Sequence, residues 1–225
     1  MQTGPTDNTI SRQPKNKTKM DKTRKLYGSN CLFDDDCIVG YVYSGKCDDA
    51  RIGNNVRIRS GSVIYCDVTL GDYFQAGHNV LIRENTIIGN HVTVGTNTVI
   101  DGNVEIGDFV KIESNCYIPT HVQIGSRVFL GPNVVFTNDK YPLKLRDEYQ
   151  PDGPVIGDGV TLGAGAVVLP GIKIGADSMV AAGALVTKDV PPMSLVTGHP
   201  GTIQELPRHL RERNMALSWK SYINE

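Results

Sequence analysis

The sequence predicts an all-β fold, a parallel β-helix of about seven triangular coils, each built from three hexads. Two observations predict it. An apolar residue recurs at every sixth position from 52 to 136, and a second, mostly valine column follows it by four residues. Neither the helical period of 3.6 nor the strand period of 2.0 explains this spacing. The first column comprises Ile52, Ile58, Ile64, Leu70, Ala76, Ile82, Ile88, Val94, Ile100, Ile106, Ile112, Ile118, Ile124, Leu130 and Phe136.

Three hexads close one coil, because each hexad supplies a short strand and a corner. Successive coils then stack as parallel strands about 4.8 Å apart. Glycine often follows the first column directly, which suits a chain that turns sharply between short extended segments. Positions i and i+18 are therefore predicted to lie one above the other.

The six-residue count stops after Phe136 and resumes at Ile156. Twenty residues separate these positions, which is not a multiple of six, so the phase slips by two. We therefore expect a loop over residues 137–155 that leaves the coil and returns to it. Fifteen hexads before the loop and six after it predict about seven coils, a prism roughly 30 to 35 Å long.

The two ends of the chain differ from the repeats. Residues 1–28 are polar and rich in lysine, and such a segment buries too little apolar surface to order, so a disordered tail is expected. The β-helix is expected over residues 29–202. Leu206, Leu210 and Leu217 lie at near-helical spacing, which predicts a short C-terminal helix within residues 203–225.

Composition restricts the partners and the compartment. With 23 basic and 24 acidic residues the formal net charge is −1, which provides no bulk attraction to nucleic acid or to an anionic membrane. No stretch approaches the roughly 20 apolar residues of a membrane span. Five cysteines, an odd number, without a signal peptide favour a reduced, cytoplasmic protein. The spacing of Cys31, Cys37 and Cys47 is not C-x-x-C, and no metal is expected.

The end of the repeat region adds a second motif. Residues 186–192 read VTKDVPP, and Gly198, His199, Pro200 and Gly201 follow. Together with the hexads this resembles the hexapeptide-repeat acyltransferases, although His199 stands where that family usually has asparagine. The resemblance covers about residues 50–203. It implies a left-handed coil, a homotrimer, acetyl-CoA as co-substrate and an acceptor bound in the groove between adjacent subunits.

The predicted loop begins FTNDKYPL, in which Lys140 and Tyr141 precede Pro142. Sugar O-acetyltransferases similar to maltose or galactoside acetyltransferase carry a histidine before this proline, and it deprotonates the sugar hydroxyl. A neutral amine already has the lone pair that a hydroxyl lacks without a base. The segment is similar to the loop of N-acetyltransferases that act on nucleotide-linked amino sugars. The resemblance therefore implies that an amine attacks the thioester directly.

Because every third hexad stacks, the first residues of the loop, Asn138 and Asp139, are predicted to lie one coil above Thr120 and His121. His121 and Asp139 are thus a candidate base and orienting carboxylate. The alternative is a corner histidine capped by a surface aspartate.

Asn115 is the third catalytic candidate. It lies in VKIESNCYIP, which is similar to the K-I-x-x-N segment of the nucleotide-sugar N-acetyltransferases, where the asparagine lies near the reacting amine. It also belongs to an asparagine column at positions 79, 97, 115 and 133, and such a column is commonly structural.

The remaining candidates would bind the two substrates. For the acceptor they are His78, Arg83, Glu84, Asn138 and Tyr141, and a structural role for His78 is equally compatible with its context. For acetyl-CoA they are Ala164, Gly165, Ala182, Gly183 and Lys188. The small residues leave a shallow wall for an extended pantetheine, or else only make tight corners, and Lys188 supplies positive charge for phosphates.

Three other functions are weighed against amine acetylation. The first is O-acetylation of a sugar or small alcohol. The second is the zinc carbonic anhydrase of the same fold, which needs H-x-x-x-x-H, whereas Cys116 stands five residues before His121. The third is a non-catalytic β-helix such as an ice-binding protein, whose flat threonine face the irregular, charged outward positions do not show.

Overall fold

Short strands joined by tight corners wind around one apolar core in the computed structural model, which describes residues 27–144, 147, 150–212 and 214. The result is an all-β parallel β-helix of about eight turns, consistent with the left-handed coil that the family resemblance implies. The strands are β1 (Leu32–Phe33), β2 (Ile38–Tyr41), β3 (Arg51–Ile52), β4 (Arg57–Ile58), β5 (Val63–Tyr65), β6 (Val68–Leu70), β7 (Gln75–Ala76), β8 (Leu81–Ile82), β9 (Thr86–Ile88), β10 (Thr93–Val94), β11 (Val99–Ile100), β12 (Glu105–Ile106), β13 (Lys111–Ile112), β14 (Tyr117–Ile118), β15 (Gln123–Ile124), β16 (Phe129–Leu130), β17 (Val135–Phe136), β18 (Val155–Ile156), β19 (Thr161–Leu162), β20 (Val167–Val168), β21 (Lys173–Ile174), β22 (Met179–Val180), β23 (Leu185–Val186), β24 (Ser194–Thr197) and β25 (Thr202–Glu205).

Every third strand joins the same sheet, so the prism has three faces. Face 1 is β1-β4-β7-β10-β13-β16-β19-β22-β24-β25, face 2 is β2-β5-β8-β11-β14-β17-β20-β23, and face 3 is β3-β6-β9-β12-β15-β18-β21. The register advances by three hexads per turn, as in the pairing of Val99 with Tyr117. We call the turn from face 1 to face 2 the first corner, that from face 2 to face 3 the second corner, and that from face 3 to face 1 the third corner.

Both predicted apolar columns point into the core. Phe74 and Phe136 are among its largest fully buried side chains. Small polar residues in the second column are buried as well, and their hydroxyls bond to the corner backbone. Ser62 Oγ donates to the carbonyl of Gly77 at 3.0 Å and accepts from the amide of Val80 at 3.1 Å. These hydroxyls are tolerated in the core because they have hydrogen-bond partners.

The corners use left-handed backbone, which asparagine tolerates better than most residues. At the first corner Asn79, Asn97 and Asn115 have φ values of 54°, 59° and 61°. Their amides form a ladder, because Asn79 Nδ2 donates to Asn97 Oδ1 and Asn97 Nδ2 donates to Asn115 Oδ1, both at 3.2 Å. The structural interpretation of this column therefore applies to Asn115 too.

The first turn of the helix was missed by the hexad count. Leu32 pairs with Arg57, a separation of 25 residues, so this turn carries a seven-residue insertion. A disulfide joins Cys47 of that insertion to Cys66. The expectation of reduced cysteines is therefore wrong for this pair, whereas Cys31, Cys37 and Cys116 are free.

The loop is shorter than the predicted span. Ile124 pairs with Ile156, a separation of 32 residues, which is one regular turn plus a fourteen-residue insertion. Asn138 still follows the coil, because its Nδ2 donates to the carbonyl and the hydroxyl of Thr120 at 3.2 and 3.0 Å. Gly153 takes the next coil position, so the insertion is 139–152.

Gly153→Ala is expected to destabilise the return of the loop. A Cβ built on Gly153 would lie 2.3 Å from the carbonyl carbon of His121, so backbone must move, at a cost of about 1–3 kcal/mol in the free energy of unfolding. Urea denaturation measures the change. Gly45→Ala is the control, because a Cβ there meets nothing within 4 Å. Equal stability of the two variants would contradict the close approach.

The chain ends differ from the sequence prediction in part. Of the predicted tail, Tyr27 bridges to Ile52 and the amide of Gly28 donates to the carbonyl of Ile52, whereas residues 1–26 lie outside the described residues. Residues 202–205 form β25, antiparallel to β24, where a helical segment was expected. A 3-10 turn at Arg208–Leu210 follows, and Leu217 lies outside the described residues. In the described part of the chain, no helix is long and apolar enough to cross a membrane.

Candidate functional site

The second corner is where the fourteen-residue insertion leaves the coil and returns. His121 occupies this corner with a left-handed φ of 69°, the conformation that Asn85 and Asn103 adopt in the two preceding turns. Its amide donates to the carbonyl of Asn103 at 3.0 Å, while its imidazole is exposed. The corner therefore fixes the backbone and leaves the ring nitrogens accessible.

A cavity of about 270 Å³ lies beside this histidine. Its lining is formed by Asn85, Asn103, Glu105, His121, Val122 and Gln123. Within the part of the chain that the structure describes, the side-chain amides of Asn85 and Asn103 make no hydrogen bond, in contrast to the asparagine ladder of the first corner. The cavity thus offers two available amides, one carboxylate and an imidazole to a polar ligand.

Asp139 does not lie where the stacking rule predicted it. The chain leaves the coil after Asn138, and Gly153 packs on the backbone of His121 instead. The Oδ1 of Asp139 accepts a hydrogen bond from the amide of Tyr141 at 2.9 Å. The predicted placement of Asp139 above His121 is therefore wrong, because an insertion breaks the stacking rule at its first residue. The carboxylate instead shapes the start of the loop.

Arg83 and Glu84 lie at the second corner, two turns before His121. The Arg83 guanidinium donates to Asp101 at 3.0 Å and to Glu84 at 2.9 Å. The hydrogen bond to Asp101, followed by that to Glu84, raises the pKa of Arg83 above its usual value. Tyr117 also donates to Asp101, at 3.1 Å. Arg83 is therefore a paired cation, which makes it less available to the acceptor than an unpaired guanidinium would be.

His78 and Asn115 lie at the first corner, on the other side of face 2. His78 Nδ1 is hydrogen bonded to Ser60 Oγ at 2.7 Å, and Asn115 is part of the asparagine ladder. Within one chain the structure does not bring these residues to His121. The catalytic candidates are thus divided between two corners.

The donor candidates are divided in the same way. Ala164 and Ala182 lie one above the other at the first corner, and the amide of Gly183 donates to the carbonyl of Ala164 at 2.9 Å. A side chain built on Gly165 or Gly183 would meet nothing within 4 Å, so this wall is open to a neighbour or ligand. Lys188 follows β23 and is exposed at the second corner.

Three tyrosines near the N-terminal end of the second corner were not singled out from the sequence. The ring centroid of Tyr65 lies 4.8 Å from that of Tyr41 and 5.8 Å from that of Tyr43. Tyr43 lies within the seven-residue insertion and Tyr41 just before it, so the hexad count gave no signal that they approach Tyr65. We call these three rings the tyrosine cluster.

The cysteines offer little reactive sulfur. Burial raises the pKa of Cys116 to about 11, so its thiolate is scarce at neutral pH. Among the described residues, one group of three possible metal ligands comes together, Cys47, Cys66 and Asp67. The two sulfurs are joined as a disulfide, whereas metal binding needs thiolates.

Comparison with protein families decides the type of repeat. Residues 103–138 and 153–188 match the model of the bacterial transferase hexapeptide, and residues 85–119 match that of the hexapeptide repeat of succinyl-transferase. Over these segments the chain is similar to the hexapeptide repeats of transferases. The matched segments include the second corner on both sides of the loop.

Curated relatives of this chain are named acetyltransferases. Serine acetyltransferase 4 of Arabidopsis thaliana is 58% identical over 50 residues, which are 22% of this chain and 14% of that one. Galactoside O-acetyltransferase of Lactococcus lactis is 40% identical over 74 residues, 31% of this chain and 36% of that one. The matches span less than half the length of each of these curated relatives.

Solved structures share the fold. UDP-N-acetylglucosamine acyltransferase from Campylobacter jejuni superposes with a TM-score of 0.51 at 15% identity, over 87% of this chain and 84% of that one. UDP-N-acetylglucosamine O-acyltransferase from Moraxella catarrhalis gives 0.50 at 19% identity, over 83% and 75%. At these identities the similarity shows the β-helix and not the substrate.

Proposed function

We propose that this protein transfers the acetyl group of acetyl-CoA to the amine of a nucleotide-activated amino sugar at the second corner. The observation that carries the proposal is the exposed imidazole of His121, held where the loop leaves the coil and beside a cavity with two available amides. The acetyltransferase names of the curated relatives support the reaction type. The loop sequence, which lacks the histidine that a hydroxyl acceptor needs, supports an amine.

In the proposed reaction the neutral amine attacks the carbonyl carbon of the thioester, and a carbon–nitrogen bond forms. The tetrahedral oxyanion is held by a backbone amide. Its collapse breaks the carbon–sulfur bond and expels the thiolate of coenzyme A. The proton of the amine passes to the imidazole of His121, which acts as a general base, and then to the departing thiolate.

Face 2 supports the homotrimer that the family resemblance implies. Its outward positions form a continuous apolar column, whereas the outward column of face 3 mixes Arg51, Glu105 and Lys173 with apolar residues. Such a stripe on a prism surface marks a protein interface. The apolar column of face 2 is Ile38, Val63, Leu81, Val99, Tyr117, Val135, Val167 and Leu185.

A threefold arrangement with face 2 toward the axis reunites the divided candidates. Face 2 is bounded by the first and second corners. In a closed ring of three identical chains each interface is heterologous, so the first corner of one chain meets the second corner of the next. The open wall at Ala164 and Ala182 would then line the same groove as His121 of the neighbouring chain, about two and three turns further along the prism. The proposed acetyl-CoA site and acceptor site thus share one groove.

A turnover panel tests this proposal. The purified protein is incubated with acetyl-CoA and, in turn, nucleotide-linked amino sugars, free amino sugars, free sugars and serine, and released thiol is measured. We expect turnover with the nucleotide-linked amines. Thiol release with none of these acceptors would overturn the acetyltransferase assignment.

O-acetylation is the second candidate, and a specific observation favours it. The relatives above are named for serine and for a galactoside O-acetyl transfer. Turnover confined to the hydroxyl acceptors of the same panel would establish it and reject the amine.

The cytoplasmic location stays a prediction, and the Cys47–Cys66 disulfide is the observation that opposes it.

A further inference from the structure

The tyrosine cluster is exposed although its rings pack on one another. Tyr41 and Tyr43 leave 44% and 41% of their surface accessible. The Arg83 guanidinium carbon lies 5.8 Å from the centroid of Tyr65. Tyr43 is stacked on Tyr65 with an angle of 27° between the rings, and its exposed surface offers a platform on which a further flat ring can stack.

The platform is held rigid by contacts on the insertion that carries Tyr43. Its hydroxyl donates to Asp67 Oδ2 at 3.0 Å, while Asp67 Oδ1 accepts from the amide of Asp48 at 2.7 Å. The Cys47–Cys66 disulfide fixes the same insertion to the neighbouring strand. A ligand that stacks on Tyr43 therefore does not have to order it, which reduces the cost of binding.

A polar column connects this platform to His121. Asp67, Asn85, Asn103 and His121 occupy the second corner in four successive turns, all with left-handed backbone. Three turns of about 4.8 Å separate the level of Asp67 from that of His121 by about 14 Å. The amides of Asn85 and Asn103, which make no hydrogen bond within the described residues, lie between the two ends.

We propose that this column and the tyrosine cluster together recognise the nucleoside diphosphate part of the acceptor. The proposal rests on the proposed function, because it takes the reacting amine to be at His121. The base stacks on the exposed ring of Tyr43, which itself packs on Tyr65, and the Asn85 and Asn103 amides donate hydrogen bonds to the diphosphate. The span suits a sugar joined through a diphosphate to a nucleoside, whereas a free amino sugar would cover only the His121 end.

The charges of the corner sharpen the assignment. Glu84 and Asp101 are both paired with Arg83, so the donors that the middle of the column offers to the phosphates are the amides of Asn85 and Asn103, beside the carboxylate of Glu105. Asp67 has acceptor capacity beside the ring platform, where the N–H groups of a base edge would lie. Recognition should therefore depend on the base ring more than on a cluster of cations.

Calorimetric titration with UDP, dTDP and GDP tests the platform without turnover. We expect at least one of them to bind, and Tyr43→Ala to weaken that affinity about tenfold, since a base loses its stacking partner. Tyr43→Phe keeps the ring and should retain most of the affinity. Tyr73→Ala removes a tyrosine from the third corner and should leave it unchanged.

Turnover separates this inference from the function on which it rests. Tyr43→Ala should raise KM for a nucleotide-linked amino sugar and leave kcat, and the kinetics with a free amino sugar, unchanged. Absence of binding by all three nucleotides, or an equal effect on both acceptors, would overturn the platform while acetyl transfer stands. Tyr43-dependent nucleotide binding without any acetyl transfer would overturn the proposed reaction and leave the platform.

Discussion

His121→Asn is expected to lower kcat/KM for acetyl transfer about 10²- to 10⁴-fold, the usual contribution of a positioned general base. Asparagine is the informative replacement, because Asn85 and Asn103 adopt the same corner conformation in the two preceding turns. The backbone of the corner should therefore be kept while the proton acceptor is lost. Steady-state kinetics with the best acceptor of the panel measures the loss.

His91→Asn is the matched control. His91 also has a left-handed φ, of 55°, but it lies at the third corner, where its ring stacks between Tyr73 and Phe109 at 4.6 and 4.9 Å. The His91→Asn substitution should change the free energy of unfolding and leave kcat/KM nearly unaltered. If His121→Asn retains the activity of the unchanged protein, the departing thiolate takes the proton unaided and His121 is a structural corner residue.

The six-residue period was sufficient to predict the β-helix, because each inward residue recurs wherever the coil is regular. It failed at both insertions. The seven-residue insertion hid the first turn, since it separates Leu32 from its partner Arg57 by more than three hexads. The fourteen-residue insertion placed Gly153 rather than Asp139 on His121. The six-residue period therefore predicts contacts only within segments that contain no insertion.

The candidate site was harder to predict than the fold for a different reason. Sequence spacing placed Asn138 one coil above Thr120 correctly, since both residues keep the regular register of the coils. It gave no indication that the first-corner candidates lie across face 2 from them. Nor did it show that Asn115 is hydrogen bonded in a ladder while Asn103 is not. Such differences depend on side-chain contacts, which spacing does not encode.

The candidate site residues of one chain lie at two different corners, so they can form one active site only if chains associate. One prism alone presents an imidazole at one corner and an open, glycine-lined wall at another, so in the proposed reaction neither corner would hold both substrates. The apolar column of face 2 lies between them. The proposed arrangement, with face 2 turned toward a threefold axis, would cover that column and complete the groove. Loss of the proposed trimer should therefore abolish activity even when every site residue is intact.

Val99→Lys is expected to dissociate the proposed trimer and to remove nearly all activity. Val99 lies in the middle of the apolar column, between Leu81 and Tyr117, and an unpaired lysine there would be buried at the threefold interface in each of three chains, a cost of several kcal/mol per charge. Size-exclusion chromatography with light scattering measures the mass. Gln75→Lys, outward on face 1, is the control that should stay trimeric. A Val99→Lys protein that remains a trimer would place the interface elsewhere.

A mixture of two inactive chains then tests whether the groove joins neighbours. His121→Asn damages the second corner, and Ala182→Trp blocks the wall at the first. In randomly mixed trimers an intact groove needs an undamaged second corner beside an undamaged first corner, each present with a chance of one half, so about a quarter of the grooves are restored. Activity near that fraction after refolding the two chains together supports a shared groove. If each site lies within one chain, the mixture should stay inactive. As a control, introducing Val99→Lys into both chains should abolish any activity that the mixture regains.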